Sequence, residues 1–168
     1  MKAKAFLLLV LATVLGTCSA AVKEPVRVPA PEGVLPVIVT EMTVGNAGNA
    51  FSDFDRVDLA FKAVAKERKW PLKIAADRLA SGVPEYQTEL RVSLQRVRQD
   101  IPGEYVYRAW TTLWVDGKKT DFSVITYSYS YRMGQNMDDV MEKTFLGGAR
   151  ATADKIEPLL FPDLNKKK

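Results

Sequence analysis

The sequence contains no histidine and a single cysteine, Cys18, in 168 residues. These absences exclude Ser-His-Asp triads, Cys-His dyads, histidine general bases and zinc sites built from His and Cys. They also exclude a disulfide bond within the chain, because such a bond needs two cysteines. We therefore expect a protein that is not an enzyme and that carries no catalytic residues, no metal and no cofactor.

The first twenty residues have the pattern of a bacterial export signal. Lys2 and Lys4 precede an apolar stretch at 6–15, and small residues follow at 16–20. An apolar stretch of this length is too short to span a bilayer, so we predict a signal peptide over residues 1–20. Two processing outcomes stay open. Either cleavage follows Ala20, or residues 15–18 act as a lipobox and Cys18 carries the lipid. We expect an exported protein that is periplasmic, anchored to the outer membrane or secreted.

The charge balance does not indicate a nucleic-acid partner. The chain has 24 basic and 20 acidic residues, a net charge of +4. Without Lys2 and Lys4 the net charge falls to +2, and part of this excess is the lysine run at 166–168. No basic patch with interleaved aromatic residues of the nucleic-acid-binding kind is evident. We expect no nucleic-acid partner and membrane contact only through a lipid on Cys18.

Proline content separates a lead-in from the folded part. Four prolines occur within residues 21–36, and proline at this density removes amide donors and favours extended chain. We predict a linker over 21–36, one domain over 37–162 and a lysine-rich tail over 163–168.

The first part of the domain reads as strand, helix and strand. Residues 37–44 are rich in β-branched side chains, which favours a strand. Ser52 or Asp53 then caps a helix whose apolar residues recur at helical spacing, and Trp70-Pro71 ends it. A short strand is predicted at 72–76. If the helix joins the two strands in the usual right-handed manner, they lie parallel.

The second part reads as a meander and a helix. Strands are predicted at 89–98, 105–115 and 120–133, with turns at Pro102-Gly103 and Asp116-Gly117. The last helix runs from the cap residue Asn136 to Glu157-Pro158 and contains Gly147 and Gly148, which indicate close approach to the sheet or a kink. The predicted fold is α+β, a two-layer sandwich of β-α-β followed by a three-stranded antiparallel meander and a C-terminal helix.

Alternation along the meander predicts two different sheet faces. The aliphatic face contains Leu90, Val92, Leu94, Tyr107, Ala109, Leu113, Val115, Phe122 and Val124. The opposite face contains Arg91, Gln95, Arg108, Trp110, Trp114, Ile125, Tyr127, Tyr129 and Tyr131. We expect both helices to pack on the aliphatic face.

The aromatic and cationic residues of the second face are the predicted binding site. An exposed cluster of Trp, Tyr and Arg is typical of a contact surface for a protein or a glycan. The predicted binding residues are Trp110, Trp114, Arg91, Arg108, Tyr127, Tyr129 and Tyr131. The alternative is that tyrosine simply suits strands and that a loop or a second copy of the chain covers this face.

The layout resembles small bacterial envelope lipoproteins of the penicillin-binding-protein activator or curli-secretion type. The resemblance rests on the terminal Cys18, the proline-rich lead-in, the first strand, the amphipathic helix and the strand at 88–92 that enters a hairpin. It covers residues 35–160 in layout and involves no diagnostic motif. It implies a non-catalytic envelope protein that docks on another protein.

The sequence thus favours an exported envelope protein that binds an envelope protein or glycan through the aromatic and arginine-rich face. Two alternatives stay open. One is a secreted hydrolase that uses carboxylates alone, and the other is a structural protein that self-associates as a homodimer.

Overall fold

The computed structural model describes residues 26–41, 50–80 and 82–163. Two predictions therefore lie outside the described residues: the export signal with Cys18, and all but the first residue of the lysine-rich tail. The described part forms a five-stranded sheet and two helices. The elements are β1 (Val34–Glu41), α1 (Ala50–Glu67), β2 (Lys73–Arg78), β3 (Glu89–Ile101), β4 (Glu104–Val115), β5 (Lys118–Ser130) and α2 (Met137–Leu160).

The strands lie in the order β2-β1-β3-β4-β5. β1 is parallel to both β2 and β3, whereas β3, β4 and β5 form an antiparallel meander. The predicted α+β fold, with its parallel opening, its meander and its C-terminal helix, is confirmed. No helix among the described residues combines the length and the apolar character needed to cross a bilayer.

The core lies between the sheet and the two helices. α1 contacts β1 and β2, while α2 contacts β4 and β5, so both helices cover the same face of the sheet. Apolar side chains of each element meet there because strand side chains alternate with a period of two and helix side chains recur every three or four residues. The largest buried apolar side chains of this layer are Leu35, Phe61, Leu90, Tyr107, Leu113, Phe145 and Ile156.

The glycine pair of α2 explains how close this helix lies to the sheet. A Cβ on Gly147 would overlap the ring of Tyr127, and one on Gly148 would overlap the ring of Tyr107. The predicted close approach of helix and sheet is therefore present, and the absence of two side chains makes room for two tyrosine rings.

Several boundaries differ from the predictions: α1 begins at Ala50, before the predicted cap at Ser52 or Asp53, and β2, β3 and β5 are shifted or extended by a few residues. Two of the differences involve proline. β1 begins at Val34, so the end of the predicted linker, including Pro36, belongs to the sheet. Pro36 pairs with β2, but the pairing with β3 begins only at Val37, so the missing amide costs little on that side. α2 continues through Pro158, which the sequence predicted as its end, because the Phe161 N–H donates to the Glu157 carbonyl and closes the last turn.

Candidate functional site

The side of the sheet that faces away from the helices is called the outer face here. Tyr107 and Ala109 point into the core, so the alternating residues Arg108 and Trp110 of β4 point to the outer face. Trp110 pairs across the sheet with Ser93 on β3 and with Val124 on β5. The prediction that arginine and tryptophan share a face opposite the helices therefore agrees with the strand register.

Trp110 is the exposed aromatic residue of this face. Its side chain is 50% exposed, and that of Val124 is 40% exposed. Arg108 lies two residues before Trp110 on β4 and is also exposed. We call these three residues the Trp110 patch.

Trp114 lies on the same face but is covered, and its exposed fraction is only 8%. The guanidinium of Arg27 lies 4.0 Å from the centroid of the Trp114 ring, and that of Arg91 lies 4.9 Å from it. The Lys119 ammonium lies 5.7 Å from the same centroid. Three cations thus surround the ring, which favours cation–π attraction in a desolvated setting. The expectation that Trp114 is an exposed contact residue is wrong.

A fully buried carboxylate holds the two stacking arginines. One Glu89 oxygen accepts hydrogen bonds from Arg27 at 2.9 Å and from Arg91 at 2.7 Å, and the other accepts from the Tyr86 amide at 2.8 Å. Glu85 forms ion pairs with both arginines at 3.2 Å. We call Arg27, Glu85, Glu89, Arg91 and Trp114 the Glu89 cluster. Two positive charges balance two negative ones, as burial of a carboxylate requires.

The Glu89 cluster fastens the N-terminal segment to the sheet. The Val28 N–H donates to the Glu85 carbonyl at 2.8 Å, and the Gln87 N–H donates to the Val28 carbonyl at 2.7 Å. Arg27 also donates to the Tyr86 carbonyl at 2.7 Å. Residues 26–33, called the strap here, are therefore bound to the domain where the sequence predicted a linker.

Sequence reasoning missed Arg27 and Glu89. Glu89 begins a strand next to a core leucine, and this position carries no local signal of burial. Arg27 lies among prolines, where an exposed cation is the ordinary expectation. Only the fold brings the two together.

The three tyrosines of the predicted site lie on the helix side of the sheet. Ser123 has φ of +59° and forms a bulge, so the β4–β5 register shifts between Trp110 and Thr112. Beyond the bulge the faces of β5 exchange, as a one-residue insertion requires. Tyr127 therefore packs on Gly147 instead of facing outward.

The aromatic residues that follow Tyr127 also lie on the helix side of the sheet, opposite to the predicted side. The Lys143 ammonium of α2 lies 5.8 Å from the Tyr129 ring centroid, and Tyr131 packs on Tyr105 with ring centroids 5.6 Å apart. Val124, predicted on the aliphatic face, points outward, and Ile125 is buried opposite Ala109. Of the seven predicted binding residues, the outer face keeps Arg91, Arg108, Trp110 and Trp114.

The carboxylates of the described residues either pair with cations or lie apart from one another. Within the described ranges, no group of three or more His, Cys, Asp or Glu residues is arranged to hold a metal ion. On α1, Asp53 pairs with Arg56 at 3.6 Å and Asp58 with Lys62 at 2.6 Å. Burial raises the pKa of Asp53, and the charge of Arg56 opposes this shift. Both ion pairs join residues three or four positions apart, a spacing that stabilises α1.

A groove of about 270 Å³ lies between the two helices. The Arg56–Asp138 ion pair, 2.9 Å long, joins the helices beside it. The lining residues are Arg56, Leu59, Ala60, Ala63, Asp138, Glu142 and Leu146. Leu59 is 64% exposed, so the groove is open.

Comparison with known proteins locates the fold but not a family. No family model matches the chain, and no curated protein matches it. A crystal structure described as that of an uncharacterized protein is 13% identical, with a TM-score of 0.51, over 80% of this chain and 96% of that one. At this identity the likeness concerns the fold alone.

Two further solved structures have lower scores. The PelC dodecamer from Paraburkholderia phytofirmans is 12% identical, with a TM-score of 0.43, over 75% of this chain and 92% of that one. A minor lipoprotein from Acinetobacter baumannii is 14% identical, with a TM-score of 0.37, over 72% and 91% respectively. Both TM-scores are below 0.5, so neither likeness establishes a fold relationship or a residue role for this chain.

Proposed function

We propose that this chain is an exported bacterial envelope protein that binds a partner protein through its outer face and is not an enzyme. The observation that carries the proposal is the 50% exposure of Trp110 on the outer face. Tryptophan and arginine are the residue types that most often dominate protein interfaces. Val124 adds apolar surface beside Trp110, and Arg108 adds positive charge. These three residues form the Trp110 patch.

The surroundings of the patch support binding over catalysis. The carboxylates of Glu85 and Glu89 both contact arginine guanidiniums, so neither lies free in a cleft. The stacked Trp114 and the strap fix the neighbouring ends of β3 and β4. A rigid base lowers the ordering cost of forming an interface, which favours a preformed contact surface.

Photo-crosslinking in cells tests this function. A benzophenone amino acid replaces Val124, which pairs with Trp110, and in a separate strain it replaces Leu59 on the helix layer as the control. We expect one specific adduct from position 124, absent from position 59 and lost when Trp110→Ala is added. Mass spectrometry identifies the adduct and distinguishes a different protein from a second copy of this chain, whose capture would not support this function.

The identified partner is then purified and titrated against the unmodified chain and Trp110→Ala. We expect at least tenfold weaker binding for the variant, on the order of the loss typical of a central interface tryptophan. Equal affinities, or equal adducts at both crosslinking positions, contradict the proposal.

A further inference from the structure

The last strand of the sheet has an open edge of unusual composition. β5 is the final strand in the sheet order, and among the described residues only β4 pairs with it. Backbone N–H and C=O groups that point away from β4 line this 13-residue edge. Such an edge is a template for another strand unless charges, proline or a bulge block it.

The first half of β5 is blocked, and the second half is not. Lys118, Lys119 and Asp121 place charges on the first half, and the bulge at Ser123 interrupts the edge. Residues 124–130 contain no charged residue, no proline and no glycine. They combine β-branched and aromatic side chains with serine, a composition that favours strand pairing.

The opposite edge of the sheet lacks this property. β2 is only six residues long, and three of the six are charged: Lys73, Asp77 and Arg78. A short, charged edge strand is a common protection against unwanted pairing. Because the β2 edge and the first half of β5 are both protected, the unprotected edge of the sheet is limited to residues 124–130.

We propose that two copies of the chain pair through residues 124–130, antiparallel and centred on Tyr127, to make one continuous sheet. In this register Thr126 lies opposite Ser128 of the partner subunit, and Ile125 lies opposite Tyr129 of the partner subunit. Hydroxyl pairs and aliphatic–aromatic pairs are favourable across antiparallel strands. No like charges meet, so the segment is self-complementary, as a two-fold interface requires.

The pairing has a consequence for the outer face. A two-fold axis perpendicular to the sheet keeps the outer faces of both copies on the same side. The dimer then presents two Trp110 patches on one continuous surface. The pairing itself does not depend on what the Trp110 patch binds.

Charge substitutions at the edge test both the pairing and its register. Thr126 and Ser128 are exposed, and Thr126 lies opposite Arg108 in its own chain, so a carboxylate at 126 suits the monomer. T126E/S128E places like charges opposite each other twice in the dimer. T126E/S128K differs at one position and places opposite charges there instead.

The measurement is sedimentation velocity of the purified chain over a wide concentration range. We expect reversible dimerisation of the unmodified protein, a dissociation constant at least tenfold weaker for T126E/S128E, and one within threefold of the parent for T126E/S128K. High salt narrows the gap between the variants because it screens both charge pairs. Ala75→Glu on the β2 edge is the control and leaves dimerisation unchanged.

Hydrogen exchange of the unmodified chain gives a second readout that needs no variant. Amide protection in 124–130 rises with protein concentration if the edge pairs, while protection in β2 does not. A chain that stays monomeric at all concentrations, a dimer that neither double variant changes, or a dimer that both double variants abolish overturns the proposal. If the chain dimerises but no partner binds it in a way that depends on Trp110, only the proposed function is contradicted.

Discussion

Tyr107 carries one of the unpaired polar groups buried in the described part of the chain. Its side chain is 1% exposed, and its hydroxyl makes no hydrogen bond of good geometry. Burial raises the pKa of this hydroxyl well above its usual range, and the neighbouring Thr152 side chain only partly offsets the shift. The ring is retained for its volume, since it fills the space above Gly148 and packs on Phe145 with centroids 5.9 Å apart.

This tyrosine predicts a loss of stability at alkaline pH. In the unfolded chain a tyrosine releases its proton near pH 10, whereas the folded protein keeps the proton on Tyr107. The free energy of unfolding therefore falls above about pH 10, on the order of 1 kcal/mol per pH unit from this group. Tyr107→Phe removes that contribution and, by removing an unpaired hydroxyl, leaves stability at pH 7 equal or higher.

Urea unfolding of both proteins between pH 7 and 11 checks this prediction. The difference between the two free energies should be constant below pH 9 and change in favour of Tyr107→Phe above pH 10. Parallel curves throughout would show that the folded state releases this proton as readily as the unfolded state does.

Trp110 and Trp114 show which properties of a residue the sequence predicts: the face it lies on, but not its exposure. Strand alternation places both on the outer face, and the register agrees. Their different exposure depends on Arg27, which reaches Trp114 from a segment far away in the sequence. Periodicity assigns a face to a residue, but it contains no information about which distant side chain covers that face.

At the scale of elements, the bulge at Ser123 determines which side chains of β5 lie on each face of the sheet. The alternation of Tyr127, Tyr129 and Tyr131 is plain in the sequence, but the side they occupy depends on the bulge at Ser123. Serine is an unusual residue at a positive φ, and neither glycine nor asparagine marks the site. The number of strands and their order in the meander were predictable from turns, whereas this shift of register was not.

The contact between α2 and β4 predicts a clear effect for a single methyl group. Gly148→Ala forces a Cβ into the ring of Tyr107, which is fully buried and has no space to retreat. We expect a net loss of about 1–2 kcal/mol, because overpacking costs about 2–3 kcal/mol and outweighs the gain of about 1 kcal/mol in helix propensity. Denaturant unfolding monitored by circular dichroism measures the change.

Gly147→Ala is the matched control. Its Cβ meets Tyr127, which is only partly buried and can turn toward solvent, so the expected loss is smaller. If Gly148→Ala were as stable as the parent, helix propensity would outweigh the contact, and the close approach would not constrain the sequence.

At the scale of the whole molecule, charged residues add further links between elements on both sides of the sheet. Arg68, at the end of α1, donates to Glu157 at 2.7 Å and to Asp154 at 2.6 Å on α2. Burial lowers the pKa of Arg68, but these bonds outweigh it, and the net shift is upward. The Glu89 cluster does the same for the strap on the other side of the sheet, so ion pairs fasten both faces.

The α+β architecture was predictable because it follows from periodicity, turn residues and the need to cover one apolar face. The N-terminal boundary of the domain was not predictable from the sequence. Prolines at 29, 31 and 36 indicate extended chain, and an extended segment has the same composition whether it is a linker or lies along a sheet. The buried pair of Arg27 and Glu89 distinguishes the two, and it exists only in the folded chain.

The strap therefore predicts where the stable domain begins. A chain that starts at Val34 keeps all five strands but loses Arg27, which leaves the fully buried Glu89 with one arginine instead of two and uncovers Trp114. Breaking a buried ion pair costs about 3–5 kcal/mol, so we expect a loss of roughly this size relative to a chain that starts at Val26. Arg27→Ala in the full chain should reproduce most of that loss, because the arginine supplies both the charge and the stacking contact. Urea unfolding of the three proteins at pH 7 provides the comparison. Equal stability of the two shortened chains would mean that residues 26–33 are a linker after all.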